Sequence, residues 1–172
     1  MDLPSYSIYD GTFHPAKVAL ISLNHLLMKA EGHVNAATLL TAKLYADSKP
    51  FKFHVHQAIQ KAEEMLATLT HRPSTIFDPM QTFFEMHSTS AQVLGGLNAA
   101  NRSVVSERGE DTELGIWPNG LTVSNRVEFA NGVSLPNIFY HLTVVFEILC
   151  KEGVPLDEED FNDGFLFLHH HE

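Results

Sequence analysis

A chain of 172 residues, with 44% hydrophobic and 19% charged residues, fits a single globular domain over residues 1–172 and excludes a disordered or fibrous chain. The formal net charge of −10, with only 11 scattered Lys and Arg residues, predicts neither a nucleic-acid partner nor an anionic membrane as partner. A single cysteine, no secretory signal and no apolar run near the roughly 20 residues that cross a bilayer together predict a cytoplasmic protein.

The first half of the chain predicts two long helices joined by a short helical segment. Apolar residues recur at helical spacing from residue 15 to residue 33, and Gly32 marks the end of that pattern. A few further turns are predicted over residues 36–45. The next long helix is predicted over residues 50–70, with Asp47 or Ser48 as the capping residue and Pro50 in the first turn.

The second half predicts two more long helices, separated by a segment in which apolar residues do not recur at helical spacing. The third helix is predicted over residues 79–97, with Asp78 as its cap. Residues 104–132 predict an irregular or hairpin insertion, because Asn119-Gly120 lies between short apolar stretches. The fourth helix, over residues 136–152, is apolar on nearly all sides and is predicted to be the most buried. The pattern therefore predicts an all-α four-helix bundle with one insertion.

Histidine is the residue type that stands out, because the chain has 11 histidines and none of the common catalytic or phosphate-binding motifs. Inward-facing histidines from different helices of a bundle can meet in the core, where such proteins form metal and acid–base sites. The histidines on predicted helices are His25, His33, His54, His56, His87 and His141.

His141 is the strongest candidate among them, because it lies on the helix that is predicted to be most buried. A buried imidazole needs partners for its ring nitrogens, so a structural role and a functional role are about equally supported. His54 and His56 are two residues apart, about 200° round a helix, so they cannot both face the core. The choice between them is close, and the helical pattern slightly favours His56.

The C-terminal part of the chain resembles a small uncharacterised family. The residues that carry the resemblance are Pro136-Asn137-Ile138-Phe139-Tyr140-His141, Ile148-Leu149, Gly153-Val154-Pro155-Leu156 and Asp160-Phe161. Weaker matches upstream extend the resemblance over roughly residues 8–161. Members of this family look like the DinB/YfiT-like helical bundles, a superfamily of proposed metalloenzymes and thiol-dependent transferases.

The resemblance implies a four-helix bundle with a pocket between helices, and that pocket would be lined by His33, Asp47, His54 or His56, and His141. DinB-like metal sites take two histidines four residues apart on a late helix, whereas the residue four after His141 is Val145. This departure weakens an inherited metal site. A second departure, histidines at 54 and 56 where the family leads us to expect Gln, indicates a pocket adapted to acid–base work or to a different ligand set.

The favoured function is a cofactor-free enzyme that acts on a small molecule by proton transfer, as an isomerase, cyclase or dehydratase of specialised metabolism. In this hypothesis His141 and His56 are the general base and acid, and Asp47 and His33 are further catalytic candidates. The expected substrate-binding residues are His54, Tyr45, Tyr140 and Trp117, with Trp117 on a turn over the mouth of the pocket.

Two alternatives stay open. One is a metalloprotein that holds a divalent ion such as Zn or Ni through His and Asp ligands. The other is a non-catalytic binding module whose histidines are structural. The expected partner is a small-molecule ligand, and a homodimer is compatible with the sequence.

Overall fold

The described part of the chain, residues 7–108, 115–116, 122–123 and 125–166 of a computed structural model, is mainly α-helical. Its α-helices are α1 (Ile8–Glu31), α2 (Ala36–Leu39), α3 (Phe51–Leu69), α4 (Phe83–Ala99), α5 (Arg102–Arg108), α6 (Arg126–Phe129), α7 (Leu135–Lys151) and α8 (Glu158–Leu166). A π-helical turn, Ala130–Ser134, joins α6 to α7 without a break. Two short strands, β1 (Gly115–Ile116) and β2 (Thr122–Val123), pair antiparallel.

Helices α1, α3, α4 and α7 form a four-helix bundle round one apolar core, with α3 packed most extensively against α7. The predicted all-α bundle is therefore confirmed. The strand pair β1–β2 agrees with the predicted hairpin, since these strands flank Asn119-Gly120. The largest fully buried side chains are Phe13, Phe51, Leu20, Leu23, Leu26, Leu27, Leu39, Ile59, Met65, Leu69, Met86 and Leu97.

The starts of α1 and α4 differ from the sequence prediction because other residues cap them. Helix α1 begins at Ile8 rather than at residue 15, since the Ser7 Oγ accepts a hydrogen bond from a backbone amide of the first turn. Pro15 lies inside this helix. Helix α4 begins at Phe83 instead of residue 79, because Thr82 and Glu85 form a capping box there.

The start of α3 is close to the prediction, but its predicted cap is wrong. Neither Asp47 nor Ser48 caps the helix, and Pro50 directly precedes its first residue. The Ser48 Oγ instead donates to the Tyr45 carbonyl at 2.8 Å. Ser48 therefore stabilises the loop before α3, which is the loop that later forms one wall of the pocket.

Helix α7 ends where the sequence predicts, because Gly153 has a φ of 83°. The Gly153 N–H donates to the Cys150 carbonyl and the Val154 N–H to the Leu149 carbonyl, the pairing of a Schellman motif. The apolar pattern of α7 predicts a buried side of Phe139, Leu142, Val145, Phe146 and Leu149. The last of these, Leu142 and Val145 are buried, but the two phenylalanines are only partly buried. The face that is buried carries Ile138, His141, Leu142, Val145, Ile148 and Leu149.

Helix α8 lies against α1, outside the four-helix bundle. Its Gly164 amide donates to the buried Ser22 Oγ at 3.0 Å, and a Cβ at Gly164 would overlap the Val18 carbonyl oxygen. Near the other end of α8, the His25 Nε2 contacts Asp160 Oδ1 at 2.7 Å. The close backbone approach and this polar contact together hold α8 on α1.

One helical stretch among the described residues, Arg126–Lys151, is long and apolar enough by composition to cross a membrane, with a mean hydropathy of 1.5. The expectation that no apolar run approaches this length is therefore wrong. Half of that window is buried inside the bundle, as in the core helix of a globular fold. The cytoplasmic location stays a prediction.

Candidate active site between α3 and α7

A pocket of about 240 Å³ lies between α3 and α7, at the end of the bundle where α3 begins. The loop between α2 and α3, helix α3 and helix α7 each supply part of its wall. The lining residues are Leu44, Tyr45, Asp47, Ser48, Lys49, Phe53, His54, Tyr140, His141 and Val144. The volume is below the roughly 300–1,000 Å³ that is usual for drug-sized ligands, so the pocket suits a smaller molecule.

The loop of residues 44–49 is closed at its base by backbone pairing. Lys43 and Pro50 form an antiparallel bridge, and the Phe51 N–H donates to the Ala42 carbonyl at 2.7 Å. The Lys151 Nζ at the end of α7 donates to the Lys43 carbonyl at 2.8 Å. These bonds fix the base of the loop to both helices of the pocket, so the loop backbone is held beside His54 and His141.

Two buried histidines meet at the wall of the pocket. The Nδ1 atoms of His54 and His141 are 2.9 Å apart, and the two side chains belong to residues that are only 5% and 8% exposed. A hydrogen bond at this distance requires one Nδ1 to carry a proton and the other to present a lone pair. The two rings therefore form a donor–acceptor pair across the α3–α7 interface.

Burial keeps this pair neutral. Burial, then the charge of His54 and then that of Lys61, lower the pKa of His141 to about 4. Burial also lowers the pKa of His54, although the Lys49 backbone acts in the opposite direction. Desolvation disfavours the charged form of an imidazole, so both rings are neutral at pH near 7. Each neutral ring has one N–H donor and one basic nitrogen.

The preference for His56 as the partner of His141 is wrong, because His54 makes the contact. His56 does not line the pocket. It lies on the stripe of α3 that also carries Lys52, Gln60 and Glu63. That stripe bonds the segment before α4: Lys52 Nζ donates to Gln81, and Gln60 Nε2 donates to the Thr75 carbonyl.

Four of the other predicted site residues have a clear position. Asp47, Tyr45 and Tyr140 line the pocket as expected, and both tyrosines are exposed at its rim. His33 does not line it; this residue follows α1, where its Nδ1 accepts a hydrogen bond from the Asn35 amide at 3.3 Å. Trp117 lies outside the described residues, so its predicted place over the mouth stays a prediction.

Lys49 and Phe53 are lining residues that sequence reasoning missed. The Lys49 Nζ lies 5.6 Å from the centroid of the Phe53 ring, within the range of a cation–π contact. Phe53 also contacts the His141 ring edge-on, with centroids 6.2 Å apart. No motif marks Lys49, and only its place just before Pro50 could have indicated a position beside the start of α3.

The donor atoms of the pocket do not fit the three-ligand metal site that the resemblance implies. Among the described residues, no group of three or more His, Cys, Asp or Glu side chains is placed to hold a metal ion. The position four after His141 is Val145, which is fully buried in the apolar core. The pair of imidazoles is therefore short of the ligand number that such a site needs.

Comparisons with known proteins agree with the fold. A family model described as "Domain of unknown function (DUF1993)" matches residues 8–162. The chain is also similar to the crystal structure of a DinB family member protein from Shewanella denitrificans, with 26% identity, 90% coverage of both chains and a TM-score of 0.78. No curated protein matches the chain.

Proposed function

Because this chain belongs to the DUF1993 family, a DinB-like family of unknown function, we propose an activity from the chemistry of its own pocket. The protein is a cofactor-free enzyme that moves protons within a small organic substrate. The reaction is an isomerisation, a cyclisation or a dehydration, each of which proceeds by proton transfers without net oxidation or reduction.

The observation that carries this proposal is the 2.9 Å contact between the Nδ1 atoms of His54 and His141 in the pocket wall. Two neutral imidazoles in contact can work as one acid–base unit, in which the His54 Nδ1 meets His141 and the His54 Nε2 is itself buried. A substrate proton taken up by a basic ring nitrogen can be passed to the second ring along this contact. The same pair can then return a proton to another atom of the substrate.

The low basicity of His141 favours reactions in which the proton is returned. With a pKa of about 4, the protonated His141 is a strong acid for an imidazolium and holds its proton only briefly. It is well suited to a bond migration or a loss of water, in which every proton taken up is delivered again within the same turnover.

The other lining residues have supporting roles in this proposal. Tyr45 and Tyr140 at the rim offer hydroxyl donors to a bound ligand, and the Tyr140 ring lies edge-on to His54 with centroids 6.3 Å apart. Asp47 is a charged group of the same rim. His33 and His56 have no part in this proposal, because neither of them lines the pocket.

Exchange of substrate hydrogens with solvent deuterium tests the proposal and does not require the natural substrate. The protein is incubated in D₂O with a panel of small ketones, enones and hydroxy acids, and proton NMR follows the loss of C–H signals. We expect accelerated exchange on at least one compound. His54→Gln and His141→Gln should each lower the rate by about 10²–10⁴-fold, the usual effect of a general acid or base.

His56→Gln is the matched control, because His56 is on the same helix but does not line the pocket. It should leave the exchange rate unchanged. Circular dichroism and thermal melting show whether each variant is folded. Folded His54→Gln and His141→Gln variants that exchange as fast as the wild type would contradict the proposal. Tight binding of panel compounds without any exchange would instead support the non-catalytic binding module.

A further inference from the structure

The charged groups of the pocket lie at its rim, and the described residues offer them no ionic partner. Lys49 supplies the one ammonium and Asp47 the one carboxylate among the described lining residues. Both residues are exposed, and neither forms an ion pair within the described part of the chain. Lys49 is restrained by the Phe53 ring, over which its Nζ lies. Within the described part of the chain, no comparable contact orients Asp47.

The buried wall of the pocket suits a neutral group of the ligand. His54 and His141 are neutral and nearly inaccessible to water, and their surroundings disfavour a positive charge. Leu44, Phe53 and Val144 add apolar wall. A hydroxyl, a carbonyl or an activated C–H can meet the imidazoles there. A charged group of the same ligand is stabilised at the rim, where it keeps contact with water.

We propose that the pocket takes small monocarboxylates, with the carboxylate bound by Lys49 at the rim and the neutral reacting group against His54 and His141. Among the described residues, Lys49 supplies the one rim charge with a cation–π contact, to Phe53, and its ammonium attracts an anion. This inference rests on the proposed function only for the place where the ligand binds. It adds the chemical class of the substrate.

Paired ligands test this inference directly. Calorimetry and NMR titration measure the binding of benzoate, 4-hydroxybenzoate and 2-oxobutanoate, each beside its neutral amide. We expect each carboxylate to bind more tightly than its amide, with shifts at the His54 and His141 ring signals. Lys49→Gln should weaken carboxylate binding by about three- to ten-fold, in the range for a partly exposed charge-assisted contact, and leave the amides unchanged. The preference should also shrink at high salt.

Lys52→Gln is the matched control, since Lys52 is an equal charge three residues away that bonds Gln81 and does not line the pocket. This variant should bind carboxylates as the wild type does. Asp47→Asn should strengthen carboxylate binding, because a repelling charge is removed.

Three results would overturn the inference. The first is that the amides bind as tightly as the carboxylates. The second is that Lys52→Gln weakens carboxylate binding as much as Lys49→Gln does. The third is that no carboxylate of the panel shifts the His54 and His141 signals at millimolar concentration. The deuterium-exchange experiment is read separately from these. Carboxylate binding that depends on Lys49 but brings no exchange would remove the proposed acid–base activity and leave the ligand class in place.

Discussion

The contact between His54 and His141 determines which protonation states the pocket can hold. In NMR titration of the ring signals, we expect His141 to titrate with a pKa of about 4, well below the ordinary value of 6.5. His54→Gln should raise the pKa of His141, because the charge of His54 no longer opposes protonation. The value should stay below 6.5, since burial is the larger cause and persists in the variant.

A His141 that titrates near 6.5 in the wild type would show that the ring is hydrated and that the described contact is absent in solution. His56→Gln again serves as the control. This substitution should leave the His141 titration unchanged, because burial, His54 and Lys61 are the causes of the lowered pKa and His56 is not among them.

The sequence predicted one of these two histidines and misjudged the other. His141 could be identified because it stands among apolar residues on a helix whose pattern requires burial. His54 and His56 project on opposite sides of α3, and both sides carry buried residues. Which side faces α7 depends on tertiary packing, and the pattern within one helix does not contain that information. Lys49 was missed for the same reason, because only the fold brings its loop over α3 and α7.

At the scale of elements, the attachment of α8 depends on the absence of a side chain at one position. We expect Gly164→Ala to destabilise the α1–α8 contact by about 1–3 kcal/mol, because the new methyl group would overlap the Val18 carbonyl and force the helices apart. Hydrogen exchange resolved by peptide should show faster exchange in α8. Urea unfolding measures any global loss.

Gly95→Ala provides the control for the previous substitution. Gly95 lies inside α4, and a Cβ there would meet no atom within 4 Å. The helical preference of alanine should make this variant as stable as the wild type or more stable by up to about 1 kcal/mol. If Gly164→Ala behaves in the same way, α8 does not pack on α1 as described.

Helix existence was predictable from the sequence, whereas helix starts were less so. Apolar spacing gave α1, α3, α4 and α7, because burial of one face is what makes each of them stable in the bundle. The starts depend on single hydrogen bonds. Asp78 and Thr82 each have a Gln or Glu three residues further on, so both match a capping pattern, but the box that forms in the structure is Thr82–Glu85. The first helix was predicted to begin at residue 15, yet α1 contains Pro15 in its interior.

For the whole molecule, two groups with lowered pKa values predict how stability depends on pH. The unfolded chain binds a proton at His141 near pH 6.5, whereas the folded chain binds it only near pH 4. The contribution of neutral His141 to the free energy of unfolding is therefore fully present above about pH 6.5. Up to about 3 kcal/mol of it is lost as the pH drops to about 4. His54, whose pKa is also lowered, adds to the loss in this window.

Asp160 adds a second loss of folding stability at lower pH. Burial alone would raise its pKa, but hydrogen bonds from His25, the Asp157 backbone and Lys29 outweigh burial and lower it from 3.8 to about 2. This contribution is present above about pH 3.8 and is lost as the pH falls to about 2. Urea unfolding at a series of pH values should show the first decline, and His141→Gln should flatten it. An unchanged wild-type stability between about pH 7 and about pH 4 would contradict this prediction.

The bridge between Lys43 and Pro50 separates the loop side of the pocket from its buried wall, and substitutions in these two parts should affect folding to different degrees. His54 and His141 are embedded in the bundle, so exchanging either of them disturbs packing as well as chemistry. Tyr45, Asp47 and Lys49 are exposed on a loop whose base is fixed by backbone pairing. Random mutagenesis confined to Tyr45, Asp47 and Lys49 should therefore yield libraries in which nearly every member folds, and new ligand preferences can be selected with His54 and His141 unchanged.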